Sequence, residues 1–228
     1  MAERGLTVGR AALLLATAGA VAMAGTLAAH QWRPSPDRYP LQGVDLPADP
    51  SDIAWGSVRA AGADFAYLTA TAGAHERARA FEANWQALPD AGLRRGAVHL
   101  YSLCEDGTAQ ADSFNATVPR VADALPPAVD VDLREDCDPP APDPAVTESF
   151  RRFVARVEAH MGKPVILRVS RAAERRYALS TALDRPLWVT GNVFSPGYAP
   201  RPWRLWRASD MRRIDGVEEP VNWDVVAQ

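Results

Sequence analysis

From residue 41 to residue 226 the chain alternates short apolar or β-branched runs with amphipathic segments that stop at Gly or Pro. That alternation restricts it to folds in which parallel strands are joined by right-handed helical crossovers. The strand-like runs fall at residues 41–46, 64–71, 95–101, 126–133, 165–169, 186–190, 203–207 and 219–226. Between the earlier ones the spacing predicts helices: from an Asp52 cap to Ala61, over 77–91 with Phe81, Trp85 and Leu88 on one face, over 107–118, over 144–161, and from Arg171 to about Leu179. In the helix at 144–161, Phe150, Phe153, Val154 and Val157 form a stripe of core character. The helical signal fades after residue 190. Some 188 residues follow the first forty, short of the ~250 of a full eightfold α/β barrel, so a TIM-like barrel that drops its last helices fits.

The first forty residues differ from the rest. Arg4 and Arg10 precede an uncharged run, 11–29, rich in Ala, Leu, Val and Gly. It is close to the ~20 residues that span a bilayer and longer than the 7–15 of a signal-peptide core. Arginines on its N-terminal side put that end in the cytoplasm. Ala22 and Ala24 could also form a cleavage site, so a signal-anchor and a cleaved signal peptide are both open; the length of the run and Trp32 at the interface favour the anchor. The expected organisation is a signal-anchor or signal segment at 1–29, a proline-rich linker at 30–40 and one barrel at 41–228. The body then lies outside the cytoplasm, in a periplasmic or extracytoplasmic location, anchored to the inner membrane through 11–29.

Cysteine usage agrees with that compartment. The chain has two, Cys104 and Cys137, both in loop-like surroundings and so a disulfide candidate. His30, His75, His99 and His160 are scattered and there is no Cys-x-x-Cys, so neither a metal nor another cofactor is expected. A net charge of −3, with arginines spread through helices, argues against nucleic acid as partner.

The chemistry concentrates at 126–133. Residues two apart on a strand share a face, so Asp130 and Asp132 project side by side from an otherwise apolar run. Two such carboxylates need partners, solvent or a task. The plainer alternative is a strand running into an acidic loop, since Glu135, Asp136 and Asp138 follow. Asp45, Asp130 and Asp132 all sit near the C-terminal ends of strands, where barrels of this kind gather their chemistry.

The motifs, taken in order, carry a resemblance. They are Gly43-Val44-Asp45-Leu46, Trp55, Gly62-Ala63-Asp64-Phe65-Ala66-Tyr67-Leu68, Ala91-Gly92-Leu93 with Gly96-Ala97 and His99, and Gln110-Ala111 with Phe114. Leu125-Pro126-Pro127-Ala128-Val129-Asp130-Val131-Asp132, Pro186-Leu187-Trp188-Val189, Trp203 with Trp206, and Gly216 followed by Pro220-Val221-Asn222-Trp223-Asp224 complete them. This series resembles glycoside hydrolase family 25, the lysozymes of the Chalaropsis and Cellosyl type, over about residues 41–226. The resemblance implies a (β/α)5(β)3 barrel and hydrolysis of the β-1,4 bond between N-acetylmuramic acid and N-acetylglucosamine in peptidoglycan. It places Asp132 at the general acid/base position and Asp130 at that of the carboxylate that orients a substrate acetamido group. Asp45 becomes a third acid lining the cleft, and His99, Tyr101, Trp188, Trp206, Asn222 and Asp224 candidate substrate-binding residues; for the tryptophans, Trp223 included, wall and core are both open. A Cys104–Cys137 disulfide would pin two loops of the active face together.

The departures from the family pattern alter or remove three acids of the cleft. Asp132 stands for the usual Glu, Thr69 and Ala72 for Lys and Glu, Val98 for Tyr, Arg207 for Gln, Ala208 for Tyr, Asn222 for Asp and Asp224 for Asn. Asn222 and Asp224, two apart on one strand face, read as an exchanged pair, whereas Ala72 has no evident substitute nearby. Two functions follow as expectations: an active muramidase tethered to the envelope, or a barrel that binds peptidoglycan glycan as a scaffold.

Overall fold

The computed structural model describes residues 2–46, 52–134, 137, 139 and 143–228, with side chains from residue 13 onward. Its strands are β1 Gln42–Leu46, β2 Phe65–Ala72, β3 Glu76–Arg77, β4 Arg94–Tyr101, β5 Ala128–Val131, β6 Ile166–Val169, β7 Trp188–Thr190, β8 Leu205–Arg212 and β9 Val221–Val226. Its helices are α1 Ala2–Gln31, α2 Trp55–Ala60, α3 Phe81–Asp90, α4 Gly107–Thr117, α5 Pro144–Met161, α6 Arg171–Tyr177 and α7 Leu179–Ala182.

The strands form one sheet in the order β6-β5-β4-β2-β1-β9-β8-β7, with β3 paired to β2 outside that row. A parallel bridge between Leu167 and Leu187 joins the two edges, the Leu167 N–H donating to the Pro186 carbonyl at 2.8 Å, and the sheet becomes a nearly closed barrel. Every barrel strand is parallel to its neighbours except β9, which runs antiparallel to both β1 and β8. The mixed α/β barrel inferred from the alternation is therefore present, with helices between the early strands and none between β7 and β9.

Local chemistry fixes the helix ends. The Asp106 carboxylate accepts from Thr108 N and Ala109 N, Asp143 from Ala145 N ahead of Pro144, and Ser170 Oγ from Ala173 N, each cap contributing about 1 kcal/mol. Gly162, in the left-handed region at φ +68°, ends α5.

Several boundaries differ from the sequence expectation. Asp52 does not cap α2, which starts at Trp55 after Ala54 without a side-chain cap. The helix expected from residue 77 starts at Phe81, because Glu76 and Arg77 pair back onto Ala72 and Thr71 instead. The helix expected from 171 breaks at Ala178, whose φ of +49° separates α6 from α7. The strand expected over 203–207 extends to Arg212, carried by its antiparallel pairing with β9 through two register shifts.

Two cores result from the period-two alternation of the strands. Outward residues such as Val44, Leu68, Val129 and Leu167 pack under Trp85, Phe114, Phe150 and Phe153 of the helices, all of them buried. Full burial of one such aromatic stabilises the fold by roughly 1.5–3 kcal/mol. Inward residues Phe65, Tyr67, Val98, Ala128, Ile166, Trp188 and Leu205 plug the N-terminal half of the barrel. Two inward glycines make room for that plug: a Cβ on Gly43 would lie 2.4 Å from the Phe65 ring, and one on Gly96 2.3 Å from the Tyr67 ring.

The N-terminal helix is apolar and stands clear of the barrel, with residues 13–28 exposed. Its last turn is docked: Arg213 N–H donates to the His30 carbonyl at 2.9 Å and Arg212 Nη1 to that of Gln31 at 2.6 Å. The following segment is held by Arg33 Nη1 on the Ala61 carbonyl and by Gln42 Nε2 on those of Pro34 and Tyr39.

Candidate active site

With the aromatic plug below, the inward positions of the C-terminal half carry charge. Asp45 of β1, Asp130 of β5, Arg168 of β6, Arg207 of β8, and Asn222 and Asp224 of β9 meet there. Arg207 grips Asp45 with both ends of its guanidinium, Nε to Oδ2 at 2.9 Å and Nη2 to Oδ1 at 2.6 Å. Asn222 Nδ2 donates to Asp45 Oδ1 at 3.0 Å, and Arg168 Nη1 lies 3.1 Å from that oxygen. Arg168 Nη2 donates to Asp130 Oδ2 at 2.9 Å, and its guanidinium lies over the Trp188 indole, 4.5 Å from the ring centroid. One cation thus bridges two of the three acids singled out in the sequence.

The environments push the acids apart. Burial alone would raise the Asp45 carboxyl, but Arg207 and Arg168 outweigh it and hold it down at about 2. Asp224 goes the other way: burial, and then the negative charge of Asp45, raise it well above the usual carboxylate range. Its Oδ1 accepts from Trp188 Nε1 at 2.9 Å, while Oδ2 has no donor facing it. A proton on Asp224 turned toward Asp45 satisfies that oxygen. It also balances the cluster, two anions against two cations.

Above this layer opens a cleft of about 400 Å³. In the sheet β4 lies between β2 and β5. The cleft crosses the end of β4, with Leu100 and Tyr101 as floor, Asp130 and Asp132 on one side and Ala72, Gly73 and Glu76 on the other. Asp130 is partly exposed there, and Asp132, one residue beyond the end of β5, is exposed and accepts from its neighbour Leu133 N–H at 2.8 Å. The Cys104–Cys137 disulfide, Cα atoms 5.8 Å apart, ties the loop after β4 to the loop after β5, and Cys137 lines the cleft. Glu135, Asp136 and Asp138 of the acidic run lie outside the described residues.

The other singled-out residues divide between cleft and core. Tyr101 borders the cleft at the end of β4, but its ring turns outward with His99, buried against Phe150 and Phe153, and its hydroxyl donates to Ser149 Oγ at 3.3 Å. His99 does not: it is fully buried on the outward face of β4, stacked on Phe153 and held between Thr71 Oγ1 at 2.7 Å and Gln110 Oε1 at 3.1 Å. Burial brings it down to about 4, so it is neutral. Trp188 lies inside the barrel beneath Arg168, and Trp206 faces outward, donating to the Gly191 carbonyl at 2.7 Å beside Tyr39 and Trp203. Trp223 faces outward too, donating to Gln42 Oε1. Asn222 and Asp224 are buried in the charge cluster, and so is Asp45, at 1% exposure; the cleft lining contains none of the three.

Sequence reading missed Arg168 and Glu76. Arg168 had a signal: a charge inside Val165-Ile166-Leu167-Arg168-Val169 is costly on a buried strand unless an inward anion meets it. Glu76 had none, since its place depends on a two-residue strand folding back on β2. Among the described residues no group of three or more His, Cys, Asp or Glu is placed to hold a metal ion.

The sequence profile of Glycosyl hydrolases family 25 matches residues 44–217. Lysozyme M1 of Streptomyces globisporus is 28% identical over 205 residues, covering 82% of this chain and 67% of its own. The uncharacterised protein YegX of Escherichia coli K12 is 27% identical over 201 residues, covering 83% of this chain and 71% of its own. Among solved structures, a family 25 glycosyl hydrolase from Bacillus anthracis superposes with a TM-score of 0.72 at 27% identity, over 83% of this chain and 90% of that one. The bacterial lysozyme from Streptomyces coelicolor does so with a TM-score of 0.69 at 27% identity, over 82% and 91%.

Proposed function

The chain belongs to glycosyl hydrolases family 25, and from that premise we propose that it is a peptidoglycan muramidase, a lysozyme-type glycoside hydrolase that cuts the β-1,4 bond between N-acetylmuramic acid and N-acetylglucosamine. The observation that carries the reading is the placing of Asp130 and Asp132 on one side of a cleft, in two different settings. Glycoside cleavage needs a carboxylic acid that gives a proton to the leaving oxygen and an anionic group that supports an oxocarbenium-like transition state. Asp132 is exposed to the cleft and makes no ion pair among the described residues, so its carboxyl is open to a bound sugar and is assigned the first task. Asp130 is fixed in direction by Arg168 and suits the second task, orienting an acetamido group and facing the positive charge. Asp45 serves from beneath: with Arg207 and Asn222 it sets the position of Arg168, and through it that of Asp130.

We assign residues 1–29 to a membrane anchor, 30–40 to its junction and 41–228 to the catalytic barrel. Support comes from the stretch Leu13–Gln31, 19 residues of mean hydropathy 1.6, whose residues 13–28 stand exposed, clear of the barrel. The enzyme then works outside the cytoplasm on glycan strands close to the membrane that holds it.

The test is digestion of purified peptidoglycan by the full chain in detergent, with release of new reducing ends as readout. Activity that disappears in Asp132→Asn is the expected result. Binding of muropeptides with no turnover by the unaltered chain would overturn the enzymatic reading in favour of a glycan-binding scaffold.

A further inference from the structure

We propose that Glu76 is a substrate-contacting carboxylate of this cleft, facing the sugar from the side opposite Asp130 and Asp132; the proposal rests on the muramidase reading above. Four carboxylates line the cleft among the described residues: Glu76, Glu105, Asp130 and Asp132. Two are tied to residues more than thirty positions away, whereas Asp132 accepts only its neighbour's N–H. Asp130 is paired with Arg168, and Glu105 accepts the Ala74 N–H at 2.6 Å. Glu76 is exposed and, among the described residues, takes no hydrogen bond and no ion pair. It and Asp132 are therefore the two whose charge is available to a ligand.

The backbone places Glu76 in line with the acids. The register pairs Glu76 with Ala72, Ala72 with Leu100, Leu100 with Asp130 and Asp130 with Arg168, a single row across five strands. A shift of register between Thr69 and Thr71 turns Thr71 outward to His99 and brings Ala72 to the cleft. Directly opposed residues of an antiparallel pair share a face, so Glu76 reaches over the small Ala72 side chain into the same space. Three strand spacings separate Glu76 from Asp130, roughly 14 Å of backbone at about 4.8 Å each. Two inward side chains shorten that to a gap that one sugar ring fills.

The turn that carries Glu76 is held rigidly. Gly73 N–H donates to the Leu100 carbonyl at 3.0 Å, and Gly73, at φ +52°, allows Glu105 a closeness that a Cβ would prevent, lying 2.5 Å from its Oε1. The loop bearing Glu105 is itself fastened by the Cys104–Cys137 disulfide. A free carboxylate on a fastened rim, across a sugar-sized gap from Asp130, supplies a second negative charge to the oxocarbenium-like transition state.

The experiment compares the full chain with Glu76→Gln, Glu76→Asp and the double variant Glu76→Gln with Ala72→Glu, on peptidoglycan, with kcat and KM read separately and thermal unfolding as the control for folding. Glu76→Gln should lower kcat on the order of 100-fold with little change in KM or unfolding temperature. Ala72→Glu, on the cross-strand partner, should return at least a tenth of the lost kcat. Full activity of Glu76→Gln beside an inactive Asp132→Asn would overturn the proposal while leaving the muramidase reading intact. A loss that neither Glu76→Asp nor Ala72→Glu reverses would overturn it as well, and an inactive unaltered chain would remove both.

Discussion

Arg168 and Asp130 are register partners on adjacent strands, and the guanidinium Nη2 of one lies 2.9 Å from the carboxylate Oδ2 of the other. A cleft-lining acid and the cation fixing it thus come from a single rung of the barrel. The second guanidinium nitrogen continues to Asp45, so the rung is joined to β1 across the barrel interior.

Removing that cation leaves Asp130 without its ion pair and takes from the buried Asp45 one of its two arginines. Arg168→Met is expected to cost about 3–5 kcal/mol in urea unfolding, the usual effect of breaking a buried pair, and to abolish peptidoglycan digestion. Arg168→Lys should recover little of either, because a single ammonium cannot reach Asp45 and Asp130 with the separate nitrogens that a guanidinium offers.

The buried acids predict opposite pH dependences. Asp45 is held near 2 in the folded chain against an ordinary value of 3.8, so the stability it contributes is complete above pH 3.8 and is lost as pH falls from there toward 2. Asp224 is raised, so its effect is the reverse: stability falls as pH rises from 3.8 through its folded value. Asp224→Asn keeps an acceptor for Trp188 Nε1 and should be more stable than the unaltered chain at pH 7, with the two equal near pH 3. Thermal unfolding across pH 3–8 measures this, and an Asp224→Asn variant less stable at pH 7 would contradict it.

The acid at 132 is short. Its carboxylate starts one residue beyond β5, and a methylene more would advance it by about 1 Å, a distance worth up to ~100-fold in rate when the reacting atoms are otherwise aligned. Asp132→Glu is expected to raise kcat on peptidoglycan, and Asp132→Asn to remove it.

The disulfide closes a 33-residue separation. In the chain-entropy account a loop of that length stabilises by about 3–4 kcal/mol. Cys104→Ser with Cys137→Ser should lower the unfolding temperature and, by releasing the loop that carries Glu105, reduce kcat more than the change in stability requires. Intact mass with and without reductant establishes the bond in the protein used.

Much of this was readable from residue types because the strands keep strict alternation. The parity that sets Asp130 on the barrel interior also sets Val129 and Val131 under the helices, and Gly43 and Gly96 mark where Phe65 and Tyr67 enter. The same parity would have turned His99 away from the cleft, since its neighbours Val98 and Leu100 face inward, but the likeness of its motif to a cleft residue masked that. Trp188 and Trp206 stayed open between wall and core for a related reason: an indole on a strand reads alike whether it meets a sugar, the barrel interior or the outer shell.

The sequence by itself determined the strand and helix order, the barrel, the family and the pair Asp130 and Asp132, because these rest on periodicity and short motifs within a few tens of residues. Only the tertiary structure decided which carboxylates are neutralised and which are free. Asp45 meets Arg207 across 162 residues and Asn222 across 177, and Glu76 reaches the cleft because a two-residue strand folds back onto Ala72. Electrostatic partnership acts through distances of about 3 Å in space, and such distances are set by register and barrel closure rather than by position along the chain.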